Sequence, residues 1–107
     1  IKKKAPPFVM IRCDMLKSPE WRKLSSSAKV VWVYMRAKYN TRTFSEITLT
    51  YSEMADLMAP ATLKRSFKEL ADNGFIEKTK QGGLMGEANH YQFNGHFKHF
   101  YHKGFKV

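Results

Sequence analysis

The sequence has a single cysteine, Cys13. One thiol cannot close an intramolecular disulfide or furnish a four-cysteine zinc site. Such a chain suits a reducing compartment, and a cytoplasmic location is the expectation. Cys13 itself reads as a small, semi-buried apolar residue. Long apolar runs are missing as well. The longest strongly apolar stretch is "VVWVYM" at 30–35, far short of the roughly 20 residues that a membrane-spanning helix needs. The opening "IKKKAPP" has no apolar region after its lysines, so it does not read as a secretory signal. It reads as a basic arm over residues 1–7, and the initial Ile in place of Met as the start of a piece of a longer chain. Acids are scarce: nine Asp and Glu stand against 19 Lys and Arg, a net charge of +10, and none occurs beyond Glu87. A domain this basic points to a polyanionic partner, with nucleic acid first and an anionic membrane surface second. The plainer alternative is a soluble basic protein.

The signatures of catalysis are also missing. There is no paired-carboxylate motif, no Cys–His arrangement, and no glycine-rich phosphate loop between a strand and a helix. The glycines of "GGLMG" at 82–86 fall between two strand-like segments, the wrong context for a nucleotide fingerprint. His96, His99 and His102 recur every third residue, but a metal site would need a further ligand, and no acid lies nearby. We therefore expect no enzyme, no metal, no other cofactor and no small-molecule substrate. No internal repeat or low-complexity segment is present.

What is present suffices for one modest core: 107 residues, of which 43% are hydrophobic. "FVMIR" at 8–12 favours a strand or an extended arm packed on the body. Ser18, Pro19 and Glu20 read as a helix start, with a cap, a first-turn proline and an acid at the positive end. Trp21 and Leu24 give that short helix something to bury. The segment 25–39 is the best long helix. Ser25 or Ser26 can cap it, Lys29 and Arg36 share one narrow stripe, and Val30 to Met35 cover most of the rest. A loop follows at 40–46. Ile47 and Leu49 alternate, which predicts a short strand at 46–50. Thr50 and Glu53 form a capping box, flanked by Leu49 and Met54 as a hydrophobic staple. A helix therefore starts near Tyr51, runs to about Met58, and offers Tyr51, Met54, Ala55, Leu57 and Met58 to the core.

Pro60 disfavours helical geometry at Ala59 but fits the first turn of a new helix. That helix is predicted over 60–73, with Gly74 as its left-handed stop. Strands at 75–80 and 89–94 then form a hairpin. The C-terminal segment 96–107 is aromatic and basic, either a short helix or a tail. The order of helix, short strand, helix, tight turn, helix and hairpin is that of a winged helix-turn-helix domain. The expected class is α+β, mostly α: a three-helix core plus a C-terminal β-hairpin wing, spanning 8–95.

On the helical wheel of 60–73, Leu63, Phe67 and Leu70 form the buried stripe. Arg65 stands opposite, flanked by Lys64 and Lys68, with Ala61 and Thr62 near the N-terminal end. Glu69 and Asp72 come only in the last turns. That distribution suits a helix entering the major groove with its N-terminal residues nearest the bases. Arg65 could bind guanine O6 and N7, Thr62 could meet a thymine methyl, and Lys64 and Lys68 could reach phosphates. The alternative is a solvated basic face. In the hairpin, Lys78 and Lys80 are expected on one side, His90 on the returning strand, and Gly82, Gly83 and Gly86 at a flexible tip. A wing along the DNA backbone or an ordinary surface hairpin would both look so. Lys2, Lys3 and Lys4 would track phosphates or serve solubility.

The stretch "TLKRSFKELADNGFI" at 62–76 resembles the recognition helix and first wing strand of winged-helix regulators. A Thr, a basic residue, a Leu and a Gly-aromatic-Ile recur there at this spacing. With "ITLTYSEMA" upstream, "NHYQF" downstream and "SPEWRKLS" before the long helix, the chain is more closely similar to the small helix-turn-helix domains of phage and mobile-element replication or transcription-regulatory proteins. The resemblance implies double-stranded DNA as partner, in transcription regulation or DNA replication. It departs between Ala55 and Thr62, where the turn is shorter than the common pattern and Ala59 replaces the usual capping Ser. The alternative function is a protein-interaction module working through the apolar helix 27–39 and the aromatic C-terminal segment. A homodimer through either element is compatible with both.

Overall fold

The computed structural model describes residues 8–38, 47–82 and 89–94. Its elements in chain order are α1 (Cys13–Leu16), α2 (Pro19–Arg22), α3 (Ser26–Lys38), α4 (Tyr51–Met54), α5 (Pro60–Asp72), β1 (Ile76–Lys80) and β2 (His90–Phe93). The class is α+β: about half of the described residues are helical, and the two strands pair antiparallel. Among the described residues no helix is long and apolar enough to cross a membrane.

Residues 8–12 take no regular structure, the arm rather than the strand of the two alternatives, with Ile11 against the core. A single turn, α1, follows where no helix was expected. Met15 anchors it in the core, and Arg12 pairs with Asp14 at 2.6 Å. Cys13 is exposed at its start, not semi-buried as expected. The apolar demand of that turn is met by Met15, which leaves Cys13 on the outer side. Ser18 then joins α1 to α2. Its hydroxyl donates to the Met15 carbonyl at 2.6 Å and accepts from the Trp21 N–H at 3.2 Å. Capping and chain reversal thus use one side chain, and Trp21 and Leu24 are buried as expected.

Helix α3 is the central element. Ser25 caps it, accepting from the Ala28 N–H at 3.2 Å. Ala28, Val31, Trp32 and Met35 are buried, the i, i+3, i+4, i+7 pattern of one face. Trp32 meets Trp21 edge-on at 5.6 Å between ring centroids and Phe93 at 5.5 Å, while Phe75 meets Trp21 at 5.9 Å. The remaining apolar residues divide: Val33 packs against the core, whereas Val30 and Tyr34 stay exposed at 38% and 43%.

The strand expected at 46–50 is reduced to one bridge. Ile47 and Tyr91 exchange both backbone hydrogen bonds at 2.9 Å, and Ile47 and Leu49 are buried as the alternation required. Thr50 and Glu53 form the expected capping box, with Leu49 and Met54 both buried at the staple positions. The helix it starts, however, lasts one turn and not to Met58. Ala59 is extended, with ψ at 154°, because a residue before proline avoids helical geometry. The chain must unwind first, and the Met54 carbonyl accepts from both Leu57 and Met58. Tyr51, Ala55 and Leu57 are exposed, contrary to expectation, while Met54 is buried and Met58 half-buried.

Glu53 also reaches Lys38. This ties a cation in the last turn of α3 to an acid in the first turn of α4, each at the helix end whose dipole favours it. The bonded Lys38 ammonium is the main cause that holds the Glu53 carboxyl below its ordinary value of 4.5, with the Thr50 donors adding to it.

Helix α5 ends with a left-handed glycine. Gly74 has φ at 80°, its N–H donates to Ala71, and the Phe75 N–H donates to Leu70 at 2.9 Å. These are the two bonds of a Schellman stop, with buried Leu70 and Phe75 at the positions of its apolar contact. The stop turns the chain directly into β1.

Two outcomes follow. Gly74→Ala should lower stability in urea by about 1 kcal/mol, a left-handed strain of about 1–2 kcal/mol partly offset by the stiffer unfolded chain. No atom lies within 4 Å of the new Cβ, so backbone strain alone is tested. The Glu53 contribution is present above pH 4.5 and is lost as pH falls through the depressed folded value. Urea midpoints measured against pH should therefore fall less steeply in acid for Glu53→Gln than for the native chain.

Candidate nucleic-acid interface

Helix α5 separates two chemistries. Leu63, Ser66 and Leu70 are buried on its inner side and Phe67 is half-buried. Ser66 is the unexpected member. It fills an apolar period with a hydroxyl, and its Oγ–H is satisfied by the Thr62 carbonyl at 2.8 Å. On the outer side Ala61, Lys64, Arg65 and Lys68 are exposed, and Thr62 is half-buried.

The outer cations are not equivalent. Lys68 is bonded to Asp72 at 2.9 Å, one turn on, and that partner raises its pKa. A surface pair of this kind, exposed on both sides, is screened by solvent and opens readily. Lys64 and Arg65 make no ion pair among the described residues. The second acid of the helix, Glu69, is turned sideways. Its carboxylate accepts from the Ser25 N–H at 2.5 Å and from the Ser25 Oγ–H at 2.7 Å. In an ordinary capping box the acid comes from the same helix; here it comes from 44 residues away. No local pattern could have disclosed that pairing.

Phe67 carries α5 to the hairpin. Its ring stacks on Tyr91 with centroids 4.7 Å apart and planes at 18°. Burial holds the Tyr91 phenol above its usual range, and Asn89 donates to its oxygen at 3.4 Å. β1 and β2 pair Ile76 with Phe93, Glu77 with Gln92 and Lys78 with Tyr91, and then the register slips so that Lys80 meets His90. Paired residues share a face, and neighbours along a strand alternate. Lys78 and Lys80 therefore lie on opposite faces, not on one side as expected. The bulge at Thr79 is the cause, and it also twists the edge strand. Both lysines are exposed, with Lys78 donating to Gln81 at 3.0 Å, and His90 is half-buried. Gly82 donates to the Asn89 side chain at 2.5 Å and closes the neck of the hairpin.

Of the remaining sequence-derived positions, Lys2, Lys3, Lys4, the tip glycines Gly83 and Gly86, and the segment with His96, His99 and His102 lie outside the described residues. Among the described residues no group of three His, Cys, Asp or Glu could hold a metal ion. The structure thus brings together Ala61, Thr62, Lys64, Arg65 and Lys68 on one helix and sets the hairpin beside them through Phe67. No protein-family model, curated protein or solved structure matches this chain.

Proposed function

We propose that the chain is a winged helix-turn-helix domain that binds double-stranded DNA, with α5 in the major groove and the β1–β2 hairpin as a wing. The observation that carries this reading is the exposed pair Lys64 and Arg65, without an ion pair among the described residues, on the outer side of a helix whose inner side is core. A side chain so placed can leave the body without breaking any contact that the fold needs. Arg65 would read a guanine edge through paired hydrogen bonds, and Lys64 would hold a phosphate. Thr62, with Ala61 beside it, leaves room for close approach of the bases. Lys68 joins them once its weak pair with Asp72 opens, and Lys80 and His90 contact the backbone from the hairpin. Regulating transcription and placing a replication protein at an origin are both uses of such a domain.

The exposed Val30 and Tyr34, one turn apart on the outer face of α3, favour a second reading as a protein-interaction module. They also fit self-association, which is compatible with DNA binding.

Two measurements test these readings. Binding of the chain to a mixed-sequence duplex should weaken steeply with salt, with a slope of about 0.9 per neutralised phosphate. Arg65→Ala should lose about 1–3 kcal/mol of discrimination between bound sites, whereas Lys64→Ala should weaken all duplexes alike. Absence of binding to any duplex at low salt would sink the DNA reading. By sedimentation, the native chain should self-associate at high concentration and Tyr34→Glu should not; a native chain that stays monomeric removes the dimer.

A further inference from the structure

We propose that the DNA-contacting surface continues from α5 onto the start of α3, where Arg22, Lys23 and Lys29 take phosphates on the flank of the site that α5 occupies. The proposal rests on the DNA-binding reading of α5. Its physical basis is the bond between Glu69 and Ser25. Arg65 and Glu69 are one turn apart on the same edge of α5, about 6 Å along the axis. Glu69 is bound to both the N–H and the hydroxyl of Ser25. The start of α3 is therefore fastened beside the edge of α5 that carries Arg65.

The residues around that fastening are basic. Lys23 precedes Ser25 by two positions, and Arg22 stands next to Lys23 in the last turn of α2. Lys29 follows by one turn, its N–H donating to the Ser25 carbonyl at 3.1 Å. Arg22 and Lys23 are exposed and Lys29 is half-buried, and none of the three makes an ion pair among the described residues. Against these three cations stand two acids, Glu20, exposed on α2, and Glu69, which keeps its charge while accepting from Ser25. One turn further along the outer side of α5, Lys68 is balanced by Asp72 at 2.9 Å. Of the α5 cations without an ion pair among the described residues, Arg65 is thus the one on the edge that adjoins α3.

Between the cations lie Ser25, Ser26 and Ser27, of which Ser25 and Ser26 are exposed. Small residues let a backbone approach closely, and the Ser26 hydroxyl can donate to a phosphate oxygen, while that of Ser25 already donates to Glu69. Cations beside short hydroxyls suit a row of phosphates better than they suit an acidic protein surface, which would need apolar contact as well. Trp21 and Leu24, beside Arg22 and Lys23, are buried and provide none there.

The test uses the whole chain and a duplex selected by it from a random pool. The variant Arg22→Gln/Lys23→Gln/Lys29→Gln removes charge from side chains that make no ion pair among the described residues, and circular dichroism and thermal melting establish that it folds. The slope of log K against log salt should fall in magnitude by about 2–3, three phosphate contacts at about 0.9 each. Phosphate ethylation interference should lose contacts on one flank of the site and keep those at its centre. An unchanged slope overturns the proposal. So does uniform weakening with an unchanged interference pattern, which would mean that net charge and not position is felt. If the native chain selects and binds no duplex at all, the DNA reading itself fails; if it binds and only the flank is unaffected, that reading stands without this extension.

Discussion

The indole of Trp32 is the contact on which the rest of the molecule depends. It lies on α3, meets Trp21 of α2 edge-on, and meets Phe93 of β2 on another side. Phe75 closes the group against Trp21. Edge-to-face and tilted pairs of this kind contribute about 0.5–1.5 kcal/mol beyond the area they bury. More to the point, they lock three distant parts of the chain together. A short chain has room for one core, and this core is centred on a helix that is buried along a full face. The hairpin is therefore not an appendage. Phe93, Tyr91 and Ile76 hold one of its faces in the same core, and Ile47 is stitched to Tyr91 from the other side.

That arrangement decides what α5 can do. Its inner side is committed through Leu63, Ser66 and Leu70, and its end is fixed by the Schellman stop at Gly74. Its sideways acid is committed to Ser25. What remains uncommitted is the outer side with Lys64 and Arg65. Exposed cationic side chains on a helix held by the core are favourable for binding a polyanion, because little backbone order has to be gained when the partner arrives. The hairpin edge is protected by the same economy. Lys78, Lys80 and the bulge at Thr79 make β1 a poor template for pairing with another strand, so the exposed edge stays available without inviting aggregation.

Much of this was legible in the sequence, because the governing signals are local. The capping box at Thr50 and Glu53, the caps at Ser18 and Ser25, the first-turn prolines and Gly74 each act over three or four residues. Periodicity placed Leu63, Phe67 and Leu70 on one side of α5 and the lysines with Arg65 on the other. What escaped depends on tertiary or competing effects. Helix α1 forms because Met15 has a core to enter, and nothing in residues 8–16 announces that. Ser66 breaks an apolar period with a hydroxyl that only its bond to Thr62 makes tolerable. The slip at Thr79, which parts Lys78 from Lys80, leaves no mark in an alternating stretch. The Glu69–Ser25 pair is invisible until α3 and α5 are packed.

The shortness of the link between α4 and α5 has a similar explanation. The capping box sets the start of α4 at Tyr51, and Pro60 sets the extended residue at Ala59. Helix and unwinding turn must both fit between these points, so the helix gives way after Met54, whose carbonyl collects the N–H groups of Leu57 and Met58. Met54 and Met58 still reach the core from the two ends of that turn. Leu57, in the turn itself, faces solvent, as do Tyr51 and Ala55 before it. Ala59 offers no side chain to cap α5, so Pro60 alone pre-sets its first turn. The proline thus shortens one helix and starts the next, and the orientation of α5 follows from two local rules acting at either end of one short turn.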